Sequence, residues 1–327
     1  MKKILAIIFI SITVVSVSCY ESYIYDYVYS GVYFPFQYNV RTFVVGEGMK
    51  VEVGVVLGGV RENTMDRDIN YELRESLVSH ASLTMMKQST YAHIKDYVAP
   101  VTALEKLPAN YYTLSNSNTM VIEQGEHTGT VTVKADSANF LSDPLTLTSK
   151  YVLPFYITGG EVDSVVEPLR FAVIGLRYEN MLFGRYWHGG AALVNRPGKS
   201  DTTITYKTTI PTPDSKVWTL KTFAPDSLYA NGYLDQVTAK NEMKLALNGG
   251  NITIVSSKTS TYKILPEGTS SYNRAKLLQD RKIFLKYSYV NTSNGNTYHC
   301  TDTLSFRNRL RDGINEWQDE NPSHYTK

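Results

Sequence analysis

Tyrosine is the residue type in excess: 25 tyrosines stand beside 11 phenylalanines and 3 tryptophans in a chain of 327 residues. A flat ring packs against the axial C–H groups of a sugar, while a phenol or indole edge stays available for hydrogen bonding. The rings placed to do this are Trp187, Trp218, Tyr229, Tyr233 and Tyr272, with Asn231 and Asp235 as polar neighbours able to hold hydroxyls. Trp218 stands in a strand-like run, and 229–235 (Y-A-N-G-Y-L-D) reads as a loop carrying a turn. The same rings would also fill a core or brace the end of a barrel, and the sequence leaves both uses open. Trp317, in the C-terminal tail, is read as structural.

Reactive constellations are absent from the sequence pattern. The six histidines, at 80, 93, 127, 188, 299 and 324, form no i, i+4 pair and no H-E-x-x-H, so zinc-protease chemistry is not expected. Asp66-Arg67-Asp68-Ile69-Asn70 opens like a calcium loop, but Tyr71 stands where the sharp turn needs glycine and Leu77 where a bidentate glutamate is required. Gly46-Glu47-Gly48 lacks the third glycine of a dinucleotide loop, and Gly58-Gly59 has no following phosphate-loop lysine; both read as turns. Glycoside hydrolysis needs two carboxylates roughly 5–10 Å apart across a cleft, which linear spacing alone does not place. The region after Glu179 is short for an α/β barrel of ~250 residues. Cys300 has no histidine pairing visible in sequence and reads as a small buried hydrophobe. The expectation is a non-enzyme with no metal and no cofactor.

The address is written in the first residues. Lys2 and Lys3 precede an apolar run over 4–17 that ends in Ser18-Cys19. A charged start, a short apolar core and a small residue before the cleavage point make an export signal. The run, about 14 residues, is short for a membrane-spanning helix. Cys19 in that place is expected to become the acylated first residue of a lipoprotein, with 1–18 as signal peptide and 19–30 as a Tyr-rich tether. Acyl chains contribute about 0.8 kcal/mol per buried CH₂, so the lipid would hold the protein on the membrane. With 33 Lys+Arg against 31 Asp+Glu, the net charge of +2 lacks the dense basic face that nucleic acid demands.

These side chains must be positioned by β-structure. Short β-type runs alternate with turn signals at 31–36, 41–46, 50–57, 69–73, 119–122, 129–135, 151–158 and 169–177. The stretch T-G-T-V-T-V-K over 128–134 alternates with period two, which puts Val131 and Val133 on one face. Such a count of strands predicts a β-sandwich over 31–178. A second unit over 179–327 starts with the aromatic-rich Phe183–Trp187 stretch and continues through runs at 187–194, 202–210, 217–223, 242–247, 252–256, 261–265, 283–290 and 297–306. Asn248-Gly249-Gly250 and Asn294-Gly295-Asn296 mark tight hairpins. Eight such strands predict an antiparallel meander curled into a barrel. The fold class is all-β, with short helical turns conceivable only at 137–141 and 271–280.

Several of these segments resemble a known family. The runs G-V-Y-F-P-F (31–36), R-T-F-V-V-G-E-G (41–48), V-G-V-V-L-G-G-V-R (53–61) and Y-V-L-P-F-Y-I (151–157) resemble an immunoglobulin-like domain of unknown function in Bacteroidetes surface lipoproteins, which also precedes some endo-glycosidases. The tail L-S-F-R-N-R-L-R-D-G-I-N-E-W (304–317) resembles the end of its companion C-terminal domain. The resemblance implies an outer-membrane, cell-surface lipoprotein that assists glycan capture beside SusC/SusD-like transport components; it carries over no catalytic residues. The acidic run that often follows the acylated cysteine is reduced here to Glu21 and Asp26. A structural scaffold that binds neighbouring envelope proteins is the alternative. The opening Phe183-Gly184-Arg185-Tyr186-Trp187 is also similar to the first strand of lipocalin-type barrels, where an aromatic plugs one end and an arginine of the last strand stacks on it; Arg307 or Arg309 would fill that part.

Overall fold

A computed structural model describes residues 28–206, 216–232, 242–258 and 260–319. Strands take 53% of it and helices 14%, and the all-β expectation is borne out: a sandwich of two sheets is followed by a closed antiparallel barrel.

The N-terminal strands are β1 (Val28–Tyr33), β2 (Tyr38–Val44), β3 (Lys50–Val60), β4 (Arg67–Leu73), β5 (Glu105–Lys106), β6 (Tyr112–Leu114), β7 (Thr119–Ile122), β8 (Thr128–Ala135), β9 (Tyr151–Gly160), β10 (Ser164–Val165) and β11 (Phe171–Glu179). One sheet has the order β10-β1-β3-β8-β6; the other runs β2-β11-β9-β4-β7, with β5 added to β9. Period-two alternation puts Val51, Val53, Val55 and Leu57 of β3 beside Val131 and Val133 of β8 on the inner face. The opposing sheet supplies Phe43, Tyr71, Leu153, Phe155 and Leu176 to the same core.

β9 and β11 are buried almost without interruption, and the cause is two helices missing from the sequence expectation. α1 (His80–Lys87) and α2 (Ala92–Val98) lay Leu83, Met86, Ile94 and Val98 on Val40, Val152 and Val173, covering the outer face of the second sheet. Ser79 caps α1 by accepting from the Ser82 backbone N–H at 3.2 Å. A strand covered on both faces reads as a continuous apolar run, which is why Y-V-L-P-F-Y-I does not alternate. The segment 137–141 forms a third helix, α3 (Ser137–Ser142), capped by Asp136.

The C-terminal strands are β12 (Gly184–Asn195), β13 (Thr202–Tyr206), β14 (Lys216–Ala224), β15 (Ser227–Ala230), β16 (Met243–Asn248), β17 (Asn251–Ser256), β18 (Ile264–Pro266), β19 (Ser270–Tyr272), β20 (Lys282–Val290), β21 (Thr297–Arg311) and β22 (Ile314–Glu316). The closed barrel has eight strands. They run β12-β14-β15-β16-β17-β19-β20-β21, and β21 returns to pair with β12 from Arg185 to Asn195. Two expected barrel strands fall outside this ring. β13 pairs with the outer half of β12, past the point where β14 takes over its edge, and β18 is a short addition to β20. Their places go to β15, whose last two residues overlap the 229–235 stretch read as a loop, and to β19. Of the 271–280 stretch, only Leu278–Asp280 forms a helical turn, of the 3-10 kind. Among the described residues no helix is long and apolar enough to cross a membrane.

Candidate functional site

The aromatic residues singled out in sequence do not share one face. Trp218 points into the barrel, fully buried, with its indole stacked on the His188 ring at 4.1 Å between centroids and 14° between planes. Trp187, one step out of phase with Tyr186 on β12, lies half-buried on the outer wall beneath the Arg307 guanidinium, 4.8 Å from the ring centre. Tyr229 is half-buried on β15, edge-to-face with Phe223 at 4.9 Å. β14 separates it from Trp187. The Asn231 side-chain carbonyl accepts from the Thr219 N–H at 2.6 Å, and the Asn231 backbone N–H donates to the Thr219 carbonyl at 3.2 Å, so this residue extends a strand ladder. The Tyr272 hydroxyl donates to the Gly249 carbonyl at 2.8 Å, bracing the β16–β17 turn. Tyr233, Asp235 and Cys19 lie outside the described residues.

The arginine expectation divides between two residues. Tyr186 closes the barrel end, fully buried, with its hydroxyl donating to the Leu182 carbonyl and its ring edge-to-face with Phe306. Arg307 stacks outside on Trp187, whereas Arg309 lies 5.0 Å from the Phe183 ring centre.

Inside the barrel the sequence concealed a polar centre. Asp302 accepts from Tyr287 at 2.7 Å, pairs with His188 Nε2 at 2.8 Å, and accepts from the Tyr206 hydroxyl on its other oxygen. The His188 ring is sandwiched between Trp218 and Tyr206. Burial, and then the neighbouring Asp302 carboxylate, push the Tyr206 phenol far above its ordinary range; the same two causes raise the Cys300 thiol. A histidine–aspartate pair with phenols could move protons, but a general acid or base must reach a substrate. Both the His188 and Asp302 side chains are fully shielded. The centre is therefore closed to a substrate: Tyr287, Tyr206 and His188 Nε2 converge on one carboxylate, while His188 Nδ1 and Trp218 Nε1 have no partner among the described residues. Its sequence signal was parity: Asp302 occupies the inward register between Cys300 and Leu304.

The more open geometry lies where the two β-units meet. Gly46 and Gly48, both at φ +84°, shape the β2–β3 turn and thrust Glu47 toward the barrel. Arg309 grips that carboxylate with two parallel hydrogen bonds of 2.8 Å, and Arg281 adds one of 2.7 Å. Burial alone would raise the Glu47 pKa, but the two guanidiniums outweigh it and hold it at about 2. Arg309 also bonds Glu316, which ties β22 to the clamp.

The turn between β21 and β22, with Asp312 at φ +51° and Gly313 at +83°, reaches onto the sandwich. Asp312 Oδ2 accepts from the Thr42 backbone N–H at 3.2 Å, on the edge of β2 that faces away from β11. Gly313 lies against the His93 ring, only 2.9 Å from where a Cβ would stand. Beside this contact a cleft of about 470 Å³ opens, walled by Arg41, Lys50, Glu52, Arg311, Asp312 and Ile314. Arg41 and Glu52 also border an adjoining recess of about 170 Å³ that ends at Phe34, Pro35 and Phe36. Phe36 is exposed and meets the exposed Tyr91 edge-to-face at 6.1 Å. Arg41 Nη2 donates to the Glu52 carbonyl at 3.3 Å, Arg41 Nη1 stands 3.8 Å from Asp312, and Arg41 Nε and Asp312 Oδ1 have no partner among the described residues. None of these cleft residues was singled out as a site in sequence. The available signals were an acid between two glycines and the Asp-Gly hairpin dipeptide.

The comparisons bear on fold. A family model of an N-terminal domain matches residues 25–164. None of the curated proteins matches the chain. Among solved structures, a Bacteroides ovatus protein of unknown function determined at 2.40 Å is similar with a TM-score of 0.62 and 19% identity, over 89% of this chain and 98% of its own. A second Bacteroides ovatus protein of unknown function, at 2.61 Å, gives a TM-score of 0.42 and 14% identity over 89% and 99%. The chain thus shares the two-part architecture of the first of these proteins along nearly its whole length.

Proposed function

We propose that this chain is a non-catalytic carbohydrate-binding lipoprotein of the cell envelope, anchored at the outer membrane through Cys19 and assisting glycan capture beside SusC/SusD-like transport components. The observation that carries the reading is the junction cleft: charged and amide-bearing side chains line a groove that continues to the exposed Phe36 ring, which in turn meets the exposed Tyr91 edge-to-face. Ligand sites favour such domain junctions, with a few polar groups set among apolar ones. The sugar-binding rings of this reading are therefore Phe36 and Tyr91. Of the rings first singled out, Trp218 is enclosed, and Trp187 and Tyr229 lie on the barrel wall.

Affinity-gel electrophoresis against host mucin glycans and plant polysaccharides tests the reading. Retardation on at least one glycan, lost in an Arg41→Ala/Phe36→Ala double variant that still folds, is the expected result. A folded protein that runs freely on the whole panel would transfer the proposal to the scaffold reading. That reading has its own observation: Leu310, Ile314 and Trp317 are all exposed around the C-terminal hairpin, as a protein-docking knob would be. Mass spectrometry of the membrane-extracted protein tests the anchor, with a diacyl- or triacyl-modified Cys19 expected at the mature N-terminus.

A further inference from the structure

We infer that His299 is the proton-operated pin of a polar strap across the outer barrel wall, complete only while both of its ring nitrogens carry hydrogen.

His299 stands on the outward register of β21, about a third exposed, opposite Leu193 of β12 and Ser288 of β20. On one side its Nδ1 lies 2.8 and 3.0 Å from the two oxygens of Glu267, which follows directly on β18. On the other side Nε2 lies 2.6 Å from the side-chain oxygen of Asn195, the last residue of β12. The Asn195 amide nitrogen donates in turn to Asp201 at 2.8 Å, which closes the β12–β13 turn. The row Glu267–His299–Asn195–Asp201 thus ties the tip over 195–201 to the wall. Among the described residues no other side-chain hydrogen bond joins that tip to a strand outside its own hairpin; Arg196 is taken up by the Ser200 carbonyl.

The two ends of the row are carboxylates, which only accept. The Asn195 amide is held one way round, because turning it over would set its oxygen against the Asp201 carboxylate. The ring is left between two acceptors, and only an imidazolium donates to both. A neutral ring keeps one proton, and the charged Glu267 draws it to Nδ1 more strongly than a neutral amide oxygen holds it at Nε2. The break then falls at Asn195, where two lone pairs oppose each other. The strap is therefore complete in acid and opens at the tip as pH rises through the range in which histidine titrates. The other charges around the ring are Lys263 beside β18, Lys286 on β20, and Arg196 and Lys199 in the tip. None of these cations pairs with Glu267, whose ion pair among the described residues is with His299. Tyr298 and Cys300, its neighbours along β21, turn to the interior, where Tyr298 stacks on the buried Tyr289.

The experiment is hydrogen exchange of the full-length protein at pH 5.5 and 8.5, read by mass spectrometry as protection relative to the intrinsic exchange rate. Local opening lowers that protection in the segment that opens and not elsewhere. From the lower to the higher pH, protection over 196–203 should fall at least about fivefold, while β20 stays within about twofold. His299→Gln, which cannot become a double donor, should be poorly protected at both values. His299→Arg, which donates in both directions without titrating, should be protected at both. Histidine-selective ¹⁵N spectra should show two protonated ring nitrogens at pH 5.5 and the Nδ1 proton retained at pH 8.5. Equal protection at the two pH values, a pH response surviving in a folded His299→Arg protein, or an Nε2–H ring at pH 8.5 would each overturn the inference. If neither variant folds, the wild-type exchange and spectra decide it alone.

Discussion

Arg309 and Glu47 meet as two parallel forks, Nη1 to Oε1 and Nη2 to Oε2, each at 2.8 Å, across a sequence separation of 262 residues. One comes from the last barrel strand and the other from the β2–β3 turn, which crosses from one sheet of the sandwich to the other. A planar guanidinium against a carboxylate fixes distance and rotation together, which a lysine could not do. The pair thereby sets how the C-terminal hairpin, and Asp312 at its tip, lies on the edge of β2.

Replacing Glu47 with alanine leaves Arg309 and Arg281 buried beside an empty site. Breaking a buried pair in this way costs about 3–5 kcal/mol, because the uncompensated charge and not the lost attraction dominates. Urea unfolding of the variant should show that loss, whereas a change within about 0.5 kcal/mol, typical of a surface substitution, would mean the clamp contributes nothing.

The same carboxylate makes stability depend on acidity. Glu47 has a folded pKa of about 2 against an ordinary 4.5, so its contribution is complete above pH 4.5 and is lost as pH falls toward 2. The span corresponds to about 3 kcal/mol. Denaturation midpoints measured from pH 6 to pH 2 should fall in the wild type and flatten in Glu47→Gln, which cannot titrate.

Asp302 is the acceptor for His188, Tyr206 and Tyr287 together. Asp302→Ala strands three buried polar groups at roughly 1–3 kcal/mol each, so the barrel should lose several kcal/mol or fail to fold. Cys300 gives an independent readout. Its thiol is buried and its pKa raised, so a thiol reagent at pH 8 should leave it untouched in the native protein and label it after unfolding.

Phe36→Ala and Tyr91→Ala remove exposed rings, and each should weaken glycan retention about tenfold with stability unchanged to within about 0.5 kcal/mol. Trp187→Ala takes away the ring under Arg307 on the barrel wall and should leave retention as it was. Loss of retention in Trp187→Ala, with Phe36→Ala and Tyr91→Ala unaffected, would place the sugar on the barrel exterior.

Alternation of apolar residues was enough to find β3, β7 and β8, because a strand buried on one face writes its period into the chain. It was enough also for the barrel hairpins at Gly249 and Gly295, both with positive φ that the Asn-Gly signals anticipate. Helices α1 and α2 escaped it. They are each under nine residues long and hold two or three buried side chains apiece, which is too few turns for a helical period to emerge. β15 escaped because it is only four residues long and its last two, Tyr229 and Ala230, fall in the 229–235 stretch that reads as a turn-bearing loop.

Composition and local pattern therefore determined that the chain is strand-built, has a sandwich followed by a barrel, and is rich in rings. Which rings face inward was a matter of register: a shift of one residue separates Trp187 from His188, and only strand pairing fixes it. The cleft belonged wholly to tertiary structure. Arg41 and Asp312 stand 271 positions apart, and nothing local to either records the other. They become neighbours because Glu47 and Arg309 dock the hairpin, and long-range placement of that kind is decided by how closed surfaces fit and not by the residues flanking each contact.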